Sequence, residues 1–482
     1  MAIQHEEAFE TELCEHLAAH GWEYSPTAEG YDRERALFPS DVFAWLEATQ
    51  PEQLEKLVKP GASEASRELG RKQILDRLVA AQANDTMNGG GTLGVLRSSV
   101  GALNAKFSLF QARPATSLNP TTVERFAANR LRVMRQVTYS TKHTNRIDLV
   151  LFVNGLPVAT IELKTDLTQS LAAGLKQYAQ DRKPEGEPLL SFGRGALVHF
   201  VVTNEEVHMT TKLDGPNTRF LPFNRGKNNG AGNAAMPGTS PTAYFWQETL
   251  ERGTWLDLVG RFLHYRFTEK TDPIDGRKTY DKALRCPRYH QWRAVSKLES
   301  AVLAEGPGHN YLIQHSAGSG KTDSIAWAAH RMAQLHNADG QKVFDGVIVV
   351  SDRQVLDGQL QRAVEQLETT SGVFQPITRG GDASKSAQLA EALLAGKQII
   401  GVTLQTFPHA LDTIEEHTGL AGRRYAVIAD EAHSSQSGEA AASLKQVLTA
   451  SASDADSDTV DAEDVLADVM ARNVGVGTIS FL

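Results

Sequence analysis

Two sets of residues in this 482-residue chain have the types and spacing of reaction centres. In the first, Asp148 is followed after thirteen residues by Glu162 and, one residue beyond that, by Lys164. Carboxylates so placed can hold one or two Mg²⁺ ions on a phosphodiester, and an ammonium beside them can stabilise a pentavalent phosphate or help activate water. The second set begins at His315-Ser-Ala-Gly-Ser-Gly-Lys-Thr322. Here Gly318, Ser319 and Gly320 let backbone N–H groups face an anion at a helix N-terminus, Lys321 can reach phosphate oxygens, and the Thr322 hydroxyl can ligate Mg²⁺. Further along, Asp430 and Glu431 close the apolar run Tyr425-Ala-Val-Ile-Ala. One carboxylate there can hold the Mg²⁺ shell while the other orients or deprotonates the attacking water.

Those residues need elements that bring them together. The sequence predicts strands over 133–139, 146–153 and 158–163, the last two joined by Asn154-Gly155-Leu156-Pro157, whose Asn-Gly is a strong hairpin signal. Side chains alternate along a strand, so Glu162 and Lys164 share a face and the hairpin can bring Asp148 alongside. Residues 6–79 read as mostly helical, 167–180 as a helix, and 196–202 and 206–210 as a further strand pair. The polar stretch 214–240 is the best boundary zone, and 246–266 has the apolar spacing of an amphipathic helix. Beyond it, apolar strands at 311–314, 346–350, 398–402, 426–429 and 477–482 alternate with helical patterns, the signature of a doubly wound parallel sheet. The expected domains are therefore 1–240, a connecting helical linker 241–285, and 286–482. The acidic segment 451–468 reads as a solvated insertion, and no internal repeat is seen.

The bulk numbers fit two or more soluble domains. The chain has 41% hydrophobic and 22% charged residues, no apolar run long enough to span a bilayer, and no secretory h-region, which places it in the cytoplasm with no membrane partner. Cys14 and Cys286 fall in different expected domains, which excludes a disulfide framework or a zinc site. A net charge of −9 argues against a surface coated for polyanions but leaves room for a local groove. Arg130, Arg132, Arg135, Lys142 and Arg146 form a basic cluster that either faces phosphates or is a solvated face.

The order Gly-Ser-Gly-Lys-Thr, then Asp430-Glu431-Ala432-His433, resembles superfamily 2 helicases and translocases of the DEAH type. Arg288-Tyr-His-Gln291 is similar to the glutamine motif of those motors, which implies that Gln291 reads adenine. Residues 347–353, ending in Asp352-Arg353, and Thr403-Leu-Gln-Thr406-Phe look like DNA-contacting motifs of the first motor lobe. The resemblance makes His433 part of the nucleotide site and Thr322 and Asp430 ligands of Mg²⁺. The stretch Asp148 to Lys164 is similar nearly residue by residue to the PD-(D/E)xK core of type I restriction subunits, with Ile147 where the motif name has Pro. Tyr178 matches a tyrosine of that family, whereas Gln177 directly precedes it instead of lying four residues before; Glu6 resembles an acidic residue that assists the metal site. Leu221-Pro-Phe-Asn-Arg-Gly also looks like this family.

The resemblance implies a PD-(D/E)xK nuclease domain followed by one RecA-like doubly wound lobe. It further implies cleavage of unmodified double-stranded DNA with ATP and Mg²⁺, in a complex with methyltransferase and specificity subunits. The family's second motor lobe has no counterpart by Leu482, so the sequence predicts a truncated form with negligible ATP turnover by itself. Two other readings stay open: a stand-alone nuclease-helicase of DNA repair, and a non-catalytic remnant that binds DNA or partner subunits.

Overall fold

The computed structural model describes residues 2–165, 171–228, 230–273, 275–316, 318–351, 354–367, 372–377, 385–403, 420, 423–430 and 479–481. The chain forms two compact units, Met1–His290 and Gln291–Leu482.

In the first unit, α1 (Ala2–Ala19) carries Phe9, Leu13 and Leu17 on one buried stripe. It leads into the short strand β1 (Glu23–Ser25). Helices α2 (Pro39–Thr49) and α3 (Pro51–Leu54) each start on a proline, whose missing N–H costs nothing in a first turn. Helix α4 (Glu64–Ala83) starts where the Ser63 hydroxyl accepts from the Ser66 amide. There follow α5 (Gly91–Arg97), the hairpin β2 (Ser99–Ala102) and β3 (Ala105–Ser108), and α6 (Pro120–Ala128), capped by the Asn119 side chain. The central strands are β4 (Leu131–Thr138), β5 (Arg146–Val153) and β6 (Leu156–Leu163). After α7 (Leu171–Gln180) come β7 (Val198–Val202), β8 (Val207–Thr210) and β9 (Leu221–Pro222).

These strands form one sheet in the order β1-β4-β5-β6-β7-β8-β9, with β1–β4 and β6–β7 parallel and the other pairs antiparallel. β6 is buried along its whole length, so its only polar residues, Thr160 and Glu162, are buried with it. The Asn154-Gly155 turn forms as expected. Both residues have left-handed backbone, φ 49° and 80°, as a two-residue turn between right-twisted strands requires. The Asn154 amide also donates to the Leu109 carbonyl and to Asn129 Oδ1, while its Oδ1 accepts from the Arg130 amide. A Cβ at Gly155 would lie 2.4 Å from the Phe38 carbonyl oxygen.

The expected helix over 246–266 is broken up. A π-helical turn at Phe245–Thr249 is followed by α8 (Arg252–Asp257), a second π turn at Leu258–Phe262, and a hairpin of β10 (His264–Thr271) and β11 (Lys278–Arg285). The Glu251 carboxylate accepts from the Gly253 and Thr254 amides, which starts a new helix in the middle of the apolar pattern. Phe245 and Trp255 pack on Phe200, with ring centroids 4.8 and 6.4 Å away, and Trp246 packs on Phe9 at 5.6 Å. Residues 241–285 thus belong to the first unit and are not helical throughout.

In the second unit, α9 (Tyr289–Glu305) and α10 (Lys321–Ala333) precede a parallel sheet. Its elements are β12 (Gly346–Ser351), α11 (Gln354–Glu365), β13 (Phe374–Pro376), α12 (Lys385–Leu394), β14 (Ile399–Thr403), β15 (Tyr425–Ala429) and β16 (Ile479–Phe481). The strand order is β13-β14-β12-β15-β16, all parallel, and its core includes Ile348, Val350, Leu389, Ile400, Val402 and Val427. The doubly wound pattern holds, with one correction: residues 311–314 join no ladder among the described residues, and Leu312 is 85% exposed. Four residues following Gly306-Pro-Gly308 offer few ladder hydrogen bonds to offset the entropy of ordering them.

Replacing Gly155 with Val combines a disfavoured backbone conformation with a clash against backbone, so Gly155→Val is expected to destabilise the first unit by about 2–5 kcal/mol. Urea unfolding followed by near-ultraviolet circular dichroism measures this. A midpoint equal to the wild type's would mean that the turn does not fix this hairpin.

Candidate active sites

Asp148 sits two residues into β5, half-buried, and the Leu163 amide at the end of β6 donates to its Oδ2 at 2.7 Å. Lys164 lies just past β6, held where its amide donates to the Val202 carbonyl. Its Nζ donates to the Leu163 carbonyl at 2.7 Å, stands 3.2 Å from Glu6 Oε1, and is 3.8 Å from Asp148 Oδ2. Helix α7 closes over the lysine stem at Gly174, where any Cβ would come within 2.5 Å of Val201 Cγ1 and 3.3 Å of Lys164 Cγ. Of the residues singled out in the sequence, Asp148, Lys164 and Glu6 are brought into one cluster.

Glu162 is fully buried, with its Oε1 accepting from Arg182 Nε at 2.8 Å. Its Oε2 has no hydrogen-bond partner. Burial, and next the charge of Asp148, push the carboxyl up to about 8 against the pull of Arg182 and Lys164. Arg182 also donates to the Arg146 carbonyl and lies over the Tyr139 ring.

Three residues escaped the sequence reading. Glu10, one helical turn after Glu6, is almost wholly buried and pairs with Arg135 Nε at 3.0 Å; burial raises its pKa. Gln136 Nε2 donates to both Glu10 oxygens, at 3.1 and 3.3 Å, and lies 3.4 Å from Asp148 Oδ1. Its φ of 50° is unusual for a non-glycine residue in a strand, and the β4–β5 ladder skips it. Arg182 is the third. A spacing of four between Glu6 and Glu10 was the available signal for the first; nothing local marks Gln136 or Arg182.

Tyr178 is fully buried, and its hydroxyl shares a 2.7 Å hydrogen bond with Thr160 Oγ1, which in turn meets His199 Nδ1 at 2.7 Å. Burial raises the phenol well above its ordinary value and lowers His199 to about 3, so the imidazole is neutral. The structure therefore places Tyr178 in a core hydrogen-bond chain, with the carboxylates of Glu162 and Asp148 close enough for their charges to act on it.

The donor set suits a hard cation. Asp148 and Glu162 offer oxygen ligands, and the orphaned Glu162 Oε2 is a buried acceptor that such an ion would satisfy. Among the described residues no three His, Cys, Asp or Glu side chains gather at metal-binding distance. Mg²⁺ commonly keeps several waters.

In the second unit Gly318 and Gly320 are left-handed, at φ 72° and 84°, and Gly320 stands at the N-terminus of α10. Ser319 donates its amide to the Ser316 carbonyl, and Lys321 and Thr322 open the helix. Gln291, almost wholly buried, donates from Nε2 to the Gly320 carbonyl at 3.0 Å. The glutamine is thereby joined to the phosphate loop. Helix α10 packs on β12, β14 and β15, and the Asp430 amide at the end of β15 donates to the Val350 carbonyl. Glu431 and His433 lie outside the described residues, as do Asp352, Arg353 and Thr406.

The two units correspond to two known protein families. Residues 3–218 match the family model described as type I restriction enzyme R protein N terminus, and residues 290–453 match that of the SWI2/SNF2 ATPase. The chain is thus similar to a type I restriction R protein over its first part and to a SWI2/SNF2 ATPase over its second, in mixed α/β units. It is also 28% identical over 340 residues, 65% of its length, to the type I restriction enzyme HindI endonuclease subunit of Haemophilus influenzae, and spans 28% of that relative's length. Together these matches support a type I restriction R subunit. No helix among the described residues is long and apolar enough to cross a membrane.

Removing Arg182 leaves the Glu162 carboxyl buried without its cation. Arg182→Met is expected to destabilise the first unit by about 3 kcal/mol, and Glu162→Gln added to it to recover part of the loss. The folded carboxyl holds its proton more tightly than the unfolded one, so stability falls as pH rises from 4.5 through about 8, and the loss is larger at pH 8 than at pH 6. Urea unfolding in EDTA at both pH values is the measurement. Equal loss at the two would show that Glu162 does not titrate in the folded state.

Proposed function

We propose that the first unit cleaves double-stranded DNA with Mg²⁺ and that the second binds ATP for translocation. In this reading the chain works in a type I complex with methyltransferase and specificity subunits, in the cytoplasm, on unmodified DNA. The observation that carries it is the convergence of Asp148 and Lys164 to 3.8 Å across a hairpin, with Glu6 at the same lysine and buried Glu162 behind.

Asp148 and Glu162 would hold Mg²⁺, which supplies charge stabilisation of the phosphate and a more acidic water. Lys164 keeps a cation beside the carboxylates, where it can meet the developing phosphate charge. The Leu163 amide and Gln136 fix the two oxygens of Asp148. Tyr178 acts from the core, by holding the sheet face on which Glu162 sits. In the ATPase unit, Gly318, Ser319, Gly320 and Lys321 take the phosphates and Gln291 the adenine. Thr322 and Asp430 hold Mg²⁺, with Glu431 as base and His433 in the nucleotide site.

Asp148→Ala and Lys164→Ala are each expected to lower Mg²⁺-dependent plasmid nicking by at least about tenfold, since removing a ligand or a charge-stabilising group has effects of that order. Nicking at the wild-type rate in both variants overturns the nuclease assignment. Lys321→Ala is expected to weaken ATP binding by a similar factor in calorimetric titration while leaving nicking by the first unit's site unchanged; undiminished binding would move the nucleotide site elsewhere.

A further inference from the structure

Of the five basic residues clustered between 130 and 146, three are consumed internally. Arg130 and Arg132 both bind the buried Asp41 carboxylate, Arg130 also reaches Glu23, and Arg135 binds Glu10. Of the other two, Lys142 lies on the loop between β4 and β5, and Arg146 is the first residue of β5, paired with Thr138. Every residue from Thr141 to Arg146 is exposed, and the loop runs straight into Asp148 two positions later.

Five exposed polar loop residues, Thr141–Asn145, would ordinarily be free to move, yet this loop is pinned from beneath. Glu187, buried, accepts from the Ser140 hydroxyl at 2.8 Å, and that hydroxyl accepts from the Lys142 amide at 2.9 Å. His143 Nδ1 accepts from the Asn145 amide, so its hydrogen sits on Nε2, 3.7 Å from Glu187 Oε1. The His143 ring stands edge-on to Tyr139 at 5.2 Å. Lys142 Nζ reaches the Gly186 carbonyl at 3.3 Å and lies 4.0 Å from Glu187. Among the described residues Glu187 is the only carboxylate within ion-pair distance of the loop's cations, and the Arg146 guanidinium has none.

Burying a carboxylate costs free energy unless its partners compensate, and here the partners all belong to the loop. The arrangement presents a row of donors: the Arg146 guanidinium, the Lys142 ammonium, and the hydroxyls of Thr141 and Thr144. That is the chemistry of a phosphate-backbone contact, which positions a duplex without reading its bases. We propose that the segment Thr141–Arg146, its loop held by Glu187 and its last residue by pairing with Thr138, is the surface that seats the DNA backbone beside Asp148, with Arg146 and Lys142 as its cationic contacts. This rests on the nuclease reading above for its location, and names the part of the chain that receives the strand.

The test measures binding of a short fluorescent DNA duplex to the full chain in EDTA without nucleotide, across a salt series. Lys142→Ala/Arg146→Ala is expected to bind about tenfold more weakly at low salt, with the log–log salt slope reduced by about 2, since each phosphate no longer neutralised lowers it by about 0.9. Glu187→Gln keeps both cations but frees the loop, and is expected to weaken binding severalfold with an unchanged melting temperature. As a control, Lys59→Ala/Lys106→Ala removes two exposed charges elsewhere in the unit and is expected to bind like the wild type. Wild-type affinity in the loop double variant or in Glu187→Gln overturns the proposal, as does an equal loss in the control. Cleavage plays no part in this readout, so a nuclease-competent Asp148→Ala would defeat the nuclease reading separately.

Discussion

The register of the β5–β6 hairpin is the constraint on which the candidate nuclease depends. Side chains alternate on a strand, so a slip of one residue would send Asp148 to one face and Glu162 and Lys164 to the other. Two residues with left-handed backbone, Asn154 and Gly155, make a two-residue connection that matches the strand twist, and three hydrogen bonds of the Asn154 side chain tie it to Leu109, Asn129 and Arg130. The fixed register then lets the Leu163 amide bond Asp148 directly, which joins the two strands again at the site itself. Packing reinforces it from outside. Phe38 and Val42 close over Gly155, and α7 closes over Lys164 at Gly174.

Electrostatics gives the site an uneven character. Asp148 keeps partial exposure, while Glu162 is wholly buried behind it with Arg182 as its partner. Such a pair contributes less to stability than its short distance implies, because both ions lose water. What it secures is placement: Arg182 binds Glu162, the Arg146 carbonyl and the Tyr139 ring at once, and so links β6, the start of β5 and the end of β4.

Much of this was legible in the sequence wherever the signal is local. The hairpin was readable because Asn-Gly at a two-residue turn is a backbone requirement, and the phosphate loop because glycine spacing is one too. The parallel sheet of the second unit followed from apolar runs alternating with helical patterns. Reading failed where long-range contacts decide. The pattern over 246–266 is amphipathic, yet Glu251 caps a new turn inside it and the remainder pairs as a hairpin. The basic cluster looked like one surface; Asp41, far away in sequence, takes two of its arginines. Glu10, Gln136 and Arg182 depend on α1, β4 and α7 meeting in space, which no spacing rule announces.

Gln136 carries a consequence for how such a chain can diverge. Its backbone asks for glycine or asparagine, since a left-handed residue in a strand costs about 1–2 kcal/mol, while its side chain must be long enough to reach Glu10 and Asp148 together. No single amino acid answers both demands. Glycine there would relax the strand and lose the bridge, leaving Arg135 as the partner of buried Glu10. Positions 10, 136 and 148 are thus coupled through one side chain, so that a change at 136 alters the surroundings of both carboxylates at once.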